Sequence, residues 1–389
     1  MIDVAKARTM TPGVENVVHL NNAGAALPST PVLDAMLMHL RREAAIGGYE
    51  AAAQVAAQLD AVHGSAARLL NCAPDEIALV DSATRAWDLA FYSVPWRAGD
   101  RILTSTVEYA SNFIAYLQVA ERFGVTVDVV PDDSVGQISV DALRSMADER
   151  VKLISLTHIP TNGGLVNPAA EVGKVAAELG ALYLLDACQS VGQMPIDVTS
   201  IGCDLLSTTG RKYLRAPRGT GLLYVRRAVL DRLDPPFLDL HGARWVAPDR
   251  FEPQPGARRF ETWEYGVAAR LGLGAAIDDA LAWGLDDIRD RVYTLAEELR
   301  ARLTDLPGCQ VHDRGIEQCG LVTFTLDGVS ADAVKAALRS RSINVNISRA
   351  PSTLLDMTGR SLPELVRASV HYYNTEEELE RLCEALTET

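Results

Sequence analysis

Two charged residues stand at the ends of apolar runs near the middle of the chain. Asp186 closes the run Ala181–Asp186, and Lys212 follows the run Asp204–Thr208 after a turn that contains Gly210. Ligands of open α/β sheets bind beyond the carboxyl ends of the strands, so both side chains are candidates for chemistry. A buried aspartate without a partner is costly, and Asp186 would therefore meet a cation. The alternative is that Asp186 is an ordinary helix-capping or turn residue without a role in chemistry.

Lys212 is the candidate for covalent chemistry. It directly follows Arg211, and an amine that is desolvated beside a cation has a lowered pKa, which suits it to form a Schiff base. The hydroxyls, glycine and arginine around it suit an anionic phosphate. A solvated loop lysine is the alternative, but lysine is scarce here. The 37 basic residues include only five lysines, namely Lys6, Lys152, Lys174, Lys212 and Lys335.

Three further positions follow predicted strands. The segment Ser82–Thr84 precedes a helical run, where it would cap the helix and leave free amides as an anion site. Tyr109 follows another strand and could stack on a planar ring, and Asn162 follows a third. Helix capping alone and core packing remain the alternatives for the first two. These positions follow one another along the chain as a phosphate site, a stacking ring, an aspartate for a pyridinium and a Schiff-base lysine. The cofactor that needs all four is pyridoxal phosphate.

Short apolar runs alternate with helical patterns over the first two thirds of the chain. Runs without polar alternation suit strands that are covered on both faces, so the sequence predicts an α/β fold with a mostly parallel sheet. A long helix is predicted over Val267–Leu303, after a Pro- and Gly-rich stretch, Leu233–Gly256, that reads as a loop. A compact α+β pattern then follows. The predicted strands of the sheet are Arg101–Thr106, Thr126–Pro131, Val151–Thr157, Ala181–Asp186, Asp204–Thr208 and Gly221–Val225.

Composition limits the classes of partner. The net charge of −14 makes nucleic acid and anionic lipid surfaces poor partners, and no apolar run reaches the length of a membrane span. We see no secretion signal near the first residue. The six cysteines have no zinc-site spacing, so no metal is expected. Reduced thiols in the cytoplasm are the expectation for a chain that does not need disulfides.

The chain resembles the class V, fold-type I pyridoxal-phosphate enzymes, the group that includes cysteine desulfurases, isopenicillin N epimerase-like proteins and ergothioneine-type C–S lyases. The resemblance extends from Leu20–Gly24 to Arg367–Thr375, and its most specific motifs are the Asp186–Gln189 and Gly210–Lys212 blocks. It implies a large domain with a mostly parallel seven-stranded sheet between helices and a smaller C-terminal α+β domain. The implied boundaries are 1–15 for an N-terminal segment, 16–265 for the large cofactor-binding domain, and 266–389 for a connecting helix and the small domain.

The resemblance also implies a role for each site residue. Lys212 would form the Schiff base and move the substrate proton, Asp186 would pair with the pyridine nitrogen, and Tyr109 would stack on the ring, where relatives often have His. Gln189 would contact the ring's phenolate oxygen, and Arg367 would bind the substrate carboxylate. The implied phosphate ligands are Ser82, Ala83, Thr84, Thr209 and Arg211. Asn162 would contact cofactor and substrate, and the other implied substrate contacts are Asn22, Ala23, Tyr49 and Arg349; Tyr49 could equally pack at a helix junction.

One departure from the resemblance concerns the substrate. Cysteine desulfurases carry a nucleophilic cysteine on a loop before the carboxylate-binding arginine, whereas the corresponding loop here, Asn346–Leu354, has none. The expected reaction is therefore β-elimination from an S-substituted cysteine, through an aldimine and a quinonoid, in a small-molecule biosynthetic pathway. Transamination, epimerisation, decarboxylation-coupled deamination and a non-catalytic scaffold remain alternatives. Relatives imply a homodimer with the active site at the interface, in which Thr262 would reach the neighbour's phosphate.

Overall fold

The computed structural model describes all 389 residues. Its strands are β1 Val18–His19, β2 Ile77–Val80, β3 Arg101–Ser105, β4 Thr126–Val130, β5 Val151–Thr157, β6 Leu182–Asp186, β7 Leu205–Thr209, β8 Gly221–Val225, β9 Ala243–Ala247, β10 Arg250–Pro253, β11 Cys309–Val311, β12 Leu321–Leu326, β13 Ile343–Asn344, β14 Asn346–Ser348 and β15 Leu365–Ser369. Its α-helices are α1 Val4–Thr9, α2 Thr30–Ile46, α3 Gly48–Gln54, α4 Ala56–Leu70, α5 Ala83–Tyr92, α6 Ala110–Phe123, α7 Val140–Met146, α8 Ala169–Leu179, α9 Val198–Ile201, α10 Val267–Trp283, α11 Leu285–Thr304, α12 Ala331–Ser340, α13 Leu354–Gly359 and α14 Glu376–Thr387.

The large sheet has seven strands in the order β2-β8-β7-β6-β5-β3-β4. All neighbours from β7 to β4 pair in parallel, and only β8 runs against its two neighbours. The expected α/β fold with a mostly parallel seven-stranded sheet is therefore confirmed. Because most of the strands are parallel, their carboxyl ends meet at one edge of the sheet.

Both faces of this sheet are buried, as β6 shows. Leu182 and Leu184 belong to one hydrophobic cluster, whereas Tyr183 and Leu185 belong to the other. Successive side chains of a strand point to opposite faces, so an unbroken apolar run fills two cores at once. The apolar run fixes Asp186 at the sheet edge because every preceding residue of the strand is buried.

A second, smaller unit contains an antiparallel sheet in the order β11-β12-β15-β14. Helix α12 packs against this sheet and against α14. The short strand β1 pairs in parallel with β13, so a segment near the start of the chain joins this unit. The expectation of a smaller α+β unit is confirmed, and we retain the division of the chain at residues 15 and 265 as a proposal.

Two predictions about connecting segments were wrong. The single helix predicted over Val267–Leu303 is two helices, α10 and α11, separated by Gly284, whose φ of 85° is favourable only for glycine. The stretch predicted as a loop, Leu233–Gly256, contains the hairpin of β9 and β10. Its Trp245 and Phe251 are 81% and 59% exposed, so no buried face imposes the alternation by which a strand is recognised.

None of the helices combines the length and the apolar character that crossing a bilayer would require.

Candidate active site

A cavity of about 440 Å³ lies at the carboxyl edge of the large sheet. Thr157, Asp186 and Thr209 end β5, β6 and β7 and line it from one side, while Arg367 of β15 lines it from the small unit. The cavity therefore gathers residues from near both ends of the chain, from Asn21 to Arg367. The predicted site residues that it brings together are Ala23, Ser82, Ala83, Thr84, Tyr109, Asp186, Gln189, Thr209, Arg211, Lys212 and Arg367.

Asp186 is 7% exposed, and hydrogen bonds hold both of its carboxylate oxygens. Oδ1 accepts a hydrogen bond from the backbone amide of Cys188 at 3.0 Å, and Oδ2 accepts one from Nδ2 of Asn112 at 3.0 Å. These bonds fix the carboxylate in orientation at the cavity wall. A fixed, buried negative charge is what a protonated ring nitrogen needs as its partner.

Lys212 also lines this cavity. Burial lowers the pKa of Lys212; the carboxylate of Asp186 acts against this shift, and the guanidinium groups of Arg211 and Arg367 add to it. A lowered pKa increases the fraction of neutral amine, which is the form that attacks a carbonyl and accepts a proton.

The amino end of α5 provides an anion site at the cavity. Ser82 is the N-cap residue, and its Oγ accepts a hydrogen bond from the amide of Arg85 at 3.1 Å, which leaves the amides of Ala83 and Thr84 for a ligand. Gly221 permits β8 to approach this turn, because a Cβ there would lie 2.6 Å from the carbonyl carbon of Ser82. The positive end of a helix at this point suits a phosphate.

The other predicted cofactor residues surround the remaining walls. Gln189 donates a hydrogen bond from Nε2 to the carbonyl oxygen of Ala23 at 3.2 Å and retains a second amide hydrogen. Tyr109 is the N-cap residue of α6, and its side chain is free to stack because it is 37% exposed. Arg211 donates a hydrogen bond to the carbonyl oxygen of Gly24. A ring, a phenolate and a phosphate therefore each have a matching group in one cavity.

Arg367 is a buried guanidinium whose protein partners are all neutral. Its Nη1 donates to the carbonyl oxygen and to Oγ1 of Thr161, at 2.6 and 2.8 Å, and its Nε is buried without a partner. Burial lowers the pKa of Arg367 to about 10. No internal salt bridge occupies this guanidinium, because no carboxylate is among these contacts. An unpaired buried cation at a cavity requires an anionic ligand.

We expect Arg367→Lys to raise the substrate concentration at half-saturation about 10- to 100-fold, ~1.4 kcal/mol per factor of ten. Lysine keeps the charge but lacks the planar fork that binds a carboxylate through two hydrogen bonds. The measurement is a titration of the cofactor's visible absorbance with amino acid. The matched control is Arg144→Lys, at a surface arginine that pairs with Glu178 and has no predicted role at the site, and it should leave the titration unchanged. An unaltered midpoint in the Arg367 variant would show that the carboxylate binds elsewhere.

Two predicted substrate residues lie away from the cavity. Arg349 pairs with Asp332 at 2.8 Å and with Glu364 on the surface, and it is not among the residues that line the cavity. Tyr49 is 79% exposed on α3. The structure of one chain therefore does not bring either side chain to the site, and their roles stay predictions.

Three other predicted residues make contacts of a different kind. Asn162 donates a hydrogen bond from Nδ2 to Oδ2 of Asp356 at 2.6 Å and does not line the cavity. Asn22 is fully buried and binds backbone carbonyl oxygens near β1 and β15. Thr262 is exposed, and its hydroxyl bonds to the carbonyl oxygen of Glu264. Within one chain, none of the three meets the groups at the cavity.

Sequence reasoning missed several residues at the site. Thr161 and Arg218 line the cavity, and Thr161 rather than Asn162 contacts Arg367. Asn112, which binds Asp186, stands four residues after Glu108, and this helical spacing was a signal that could have identified it. No spacing signal was present for Thr161, because a loop places it.

The residues present fit pyridoxal phosphate. The cavity holds an amine of lowered pKa, a fixed carboxylate, a helix terminus with free amides and an aromatic ring. The first two match the aldehyde and ring nitrogen of the cofactor, and the helix terminus matches its phosphate.

Comparisons with known proteins agree with this geometry. The family described as "Aminotransferase class-V" matches residues 18–382. A probable cysteine desulfurase of Methanothermobacter thermautotrophicus is 30% identical over 97% of this chain and 96% of its own length. A probable hercynylcysteine sulfoxide lyase of Mycobacterium tuberculosis is 31% identical over 95% and 89%. A mutant of the protein C-DES with glycine covalently linked to its PLP cofactor is 25% identical, covers 97% of this chain and 98% of its own, and superposes with a TM-score of 0.87.

The chain belongs to the class-V aminotransferase family. Membership confirms the expectation of a pyridoxal-phosphate-dependent enzyme that acts on an amino acid.

Proposed function

We propose that this enzyme cleaves the carbon–sulfur bond of an S-substituted L-cysteine by β-elimination. The observation that carries the proposal is a cavity with Lys212, Asp186 and the unpaired guanidinium of Arg367 but no nucleophilic cysteine on the loop that faces them. The relatives named as a hercynylcysteine sulfoxide lyase and as C-DES support it, because C-DES is called a cystine C–S lyase. We place the reaction in a small-molecule pathway of the cytoplasm, consistent with six cysteines that are all free.

Each residue at the cavity would have a separate role in the reaction. Arg367 would bind the substrate carboxylate through its fork, and the α-carbon would then face Lys212, whose neutral amine accepts the α-proton. Bound pyridoxal phosphate withdraws electrons from the α-carbon and so makes that proton acidic. Asp186 would keep the ring nitrogen protonated. The bond between Cβ and sulfur breaks, sulfur leaves with the electron pair and the proton from Lys212, and the remainder hydrolyses to pyruvate and ammonia.

A persulfide-forming desulfuration has weaker support. That route needs a thiolate nucleophile near the substrate. The loop that lines the cavity provides Ser348 and Ser352, and Cys188 is the one cysteine of the cavity wall. Burial raises the pKa of the Cys188 thiol well above its ordinary value, and Asp186 adds to the shift, so this thiol stays protonated near neutral pH.

We expect Cys188→Ser to retain turnover within about tenfold of the unaltered enzyme, a change of at most ~1.4 kcal/mol in barrier height. The reason is that a protonated thiol supplies no nucleophile, and serine is similar in volume. Turnover per bound cofactor is the quantity to measure. The control, Cys203→Ser, replaces a cysteine that is buried outside the cavity. A Cys188 variant that binds cofactor normally yet is inactive would restore the persulfide route.

A product screen tests the proposed reaction. The purified enzyme is incubated with cysteine S-conjugates, a cysteine S-oxide, free cysteine and other amino acids, each with and without a keto-acid acceptor, and the products are read by mass spectrometry. Pyruvate and a free thiol or sulfenate without an acceptor support β-elimination. Alanine from cysteine would indicate desulfuration, products formed only with the acceptor would indicate transamination, and α-deuterium exchange without products would indicate epimerisation.

We also propose a homodimer. Helix α2 presents Leu37, Met38 and Leu40 to solvent at 47%, 62% and 48% exposure, a patch that a second copy would cover. Thr262 and Tyr49 are exposed in one chain and would be free to approach the neighbour's cavity. Light scattering should give twice the chain mass of 42.0 kDa. A mass of one chain at micromolar concentration would contradict the proposal.

A further inference from the structure

A row of buried polar side chains extends from Asp186 away from the cavity. Asn112 is 4% exposed and Glu108 is 3% exposed. The amide nitrogen of Asn112 donates to Oδ2 of Asp186 at 3.0 Å and to Oε1 of Glu108 at 2.9 Å. One amide group therefore joins two buried carboxyl groups, one at the cavity wall and one behind it.

Glu108 is the more deeply anchored end of this row. Its Oε1 accepts hydrogen bonds from the backbone amide of Tyr109 at 2.9 Å and from the hydroxyl of Thr157. Its Oε2 contacts the hydroxyls of Thr104 at 2.9 Å and Tyr116 at 3.1 Å. So many donors hold a buried side chain in one rotamer and one position.

These contacts connect the elements that carry the cofactor residues. Glu108 joins the end of β3, the end of β5 at Thr157 and the first turn of α6, while Asn112 of α6 reaches the end of β6 at Asp186. The same first turn begins at Tyr109, the residue proposed to stack on the ring. A single buried network thus sets the positions of both the ring's face contact and its nitrogen partner.

The orientation of the Asn112 amide is determined by its two acceptors. Each of its two N–H bonds faces a carboxyl oxygen, and a rotated amide would turn its carbonyl oxygen against both of them. The hydrogen bond from Asn112 therefore holds Oδ2 of Asp186 in one position, and a carboxylate held beside a ring nitrogen stabilises the protonated form of that nitrogen.

We propose that Asn112, anchored by Glu108, is a positioning residue that fixes Oδ2 of Asp186 and keeps the shared proton on the pyridine nitrogen of the cofactor. The inference rests on the role of Asp186 in the proposed function. It predicts that loss of the Asn112 amide changes the protonation of the cofactor ring, which packing at this position alone would not do.

The test is nitrogen NMR of the enzyme reconstituted with pyridoxal phosphate that is isotope-labelled at the ring nitrogen. In Asn112→Leu, the ring-nitrogen signal should shift toward that of the neutral pyridine, and the dissociation constant of the cofactor should rise about tenfold, ~1.4 kcal/mol. Asn112→Ser, which is smaller and cannot reach both carboxyl groups, should shift the signal in the same direction. If the leucine variant does not fold, the Asn112→Ser variant alone tests the inference.

Two controls separate the possible outcomes. Asn167→Leu makes the same chemical change at a buried asparagine that binds the backbone of Thr157, and it should lower thermal stability without a signal shift. Asp186→Asn should shift the signal more than either Asn112 variant. A shift with Asp186→Asn but none with folded Asn112 variants would overturn the inference alone. No shift with Asp186→Asn would overturn the assigned role of Asp186, and the inference with it.

Discussion

Lys212→Ala is expected to abolish covalent attachment of pyridoxal phosphate and to lower turnover by at least about 10³-fold, the scale of a lost general base. Two functions are removed together, because the same amine holds the cofactor and accepts the substrate's α-proton. Alanine leaves the helix terminus at Ala83 and the carboxylate of Asp186 in place, so the cofactor should still bind without a covalent bond. Borohydride reduction followed by peptide mapping measures the attachment directly.

The scarcity of lysine makes this experiment easy to interpret. Lys174 is a surface residue paired with Glu171, and Lys174→Ala should change neither the labelled peptide nor turnover. In the unaltered enzyme the reduced label should lie on the peptide that contains Lys212. A label on Lys152 or Lys174 would contradict the assignment, as would a Lys212→Ala enzyme that still carries a reducible covalent bond.

The parts of the site that could be predicted from the sequence are those attached to regular strands. The apolar run of β6 has only one possible place, the middle of a doubly covered sheet, so the polar residue that ends it must lie at the sheet edge. The same reasoning placed the turn before Lys212, whereas Thr209 was assigned by the family resemblance. Strand direction and burial were sufficient there, because parallel strands bring their carboxyl ends together whatever their distance along the chain.

The loop residues could not be predicted in the same way. Asn162 and Thr161 are neighbours, and only the path of the loop decides that Thr161 contacts Arg367 while Asn162 contacts Asp356. Arg349 directly follows Ser348, which lines the cavity. The side chain of Arg349 nevertheless pairs with two surface carboxylates, Asp332 and Glu364. Such choices depend on local backbone torsions and on nearby charges, which the residue order does not encode in any simple pattern.

Residues that could come from a second chain form a separate case. Thr262 and Tyr49 are exposed, and a sequence pattern gives their position in the chain but not the surface that they will face. The hairpin of β9 and β10 was also not predicted, for a similar physical reason. Both strands pair only with each other and expose large aromatic side chains, so no buried face within one chain selects an alternating pattern.

Asp186→Asn is expected to lower turnover about 10²- to 10³-fold, ~3–4 kcal/mol in barrier height, while the cofactor still binds. An asparagine has nearly the same shape but cannot supply the negative charge that keeps the ring nitrogen protonated. The measurement is turnover per bound cofactor, with occupancy taken from visible absorbance. Turnover near that of the unaltered enzyme would show that this residue is not the partner of the ring nitrogen.

The local contacts of Asp186 add a second consequence of the same substitution. Both of its oxygens accept hydrogen bonds, one from the amide of Cys188 and one from Asn112. The amide nitrogen of an asparagine would have to face one of these donors, which costs about 1–3 kcal/mol of stability for an unsatisfied buried group. Asp204→Asn is the matched control, since Asp204 is a buried aspartate that accepts from the amide of Tyr183 at the opposite sheet edge. It should lose similar stability but keep its turnover, so a loss of turnover confined to the Asp186 variant reflects the missing charge and not a weakened fold.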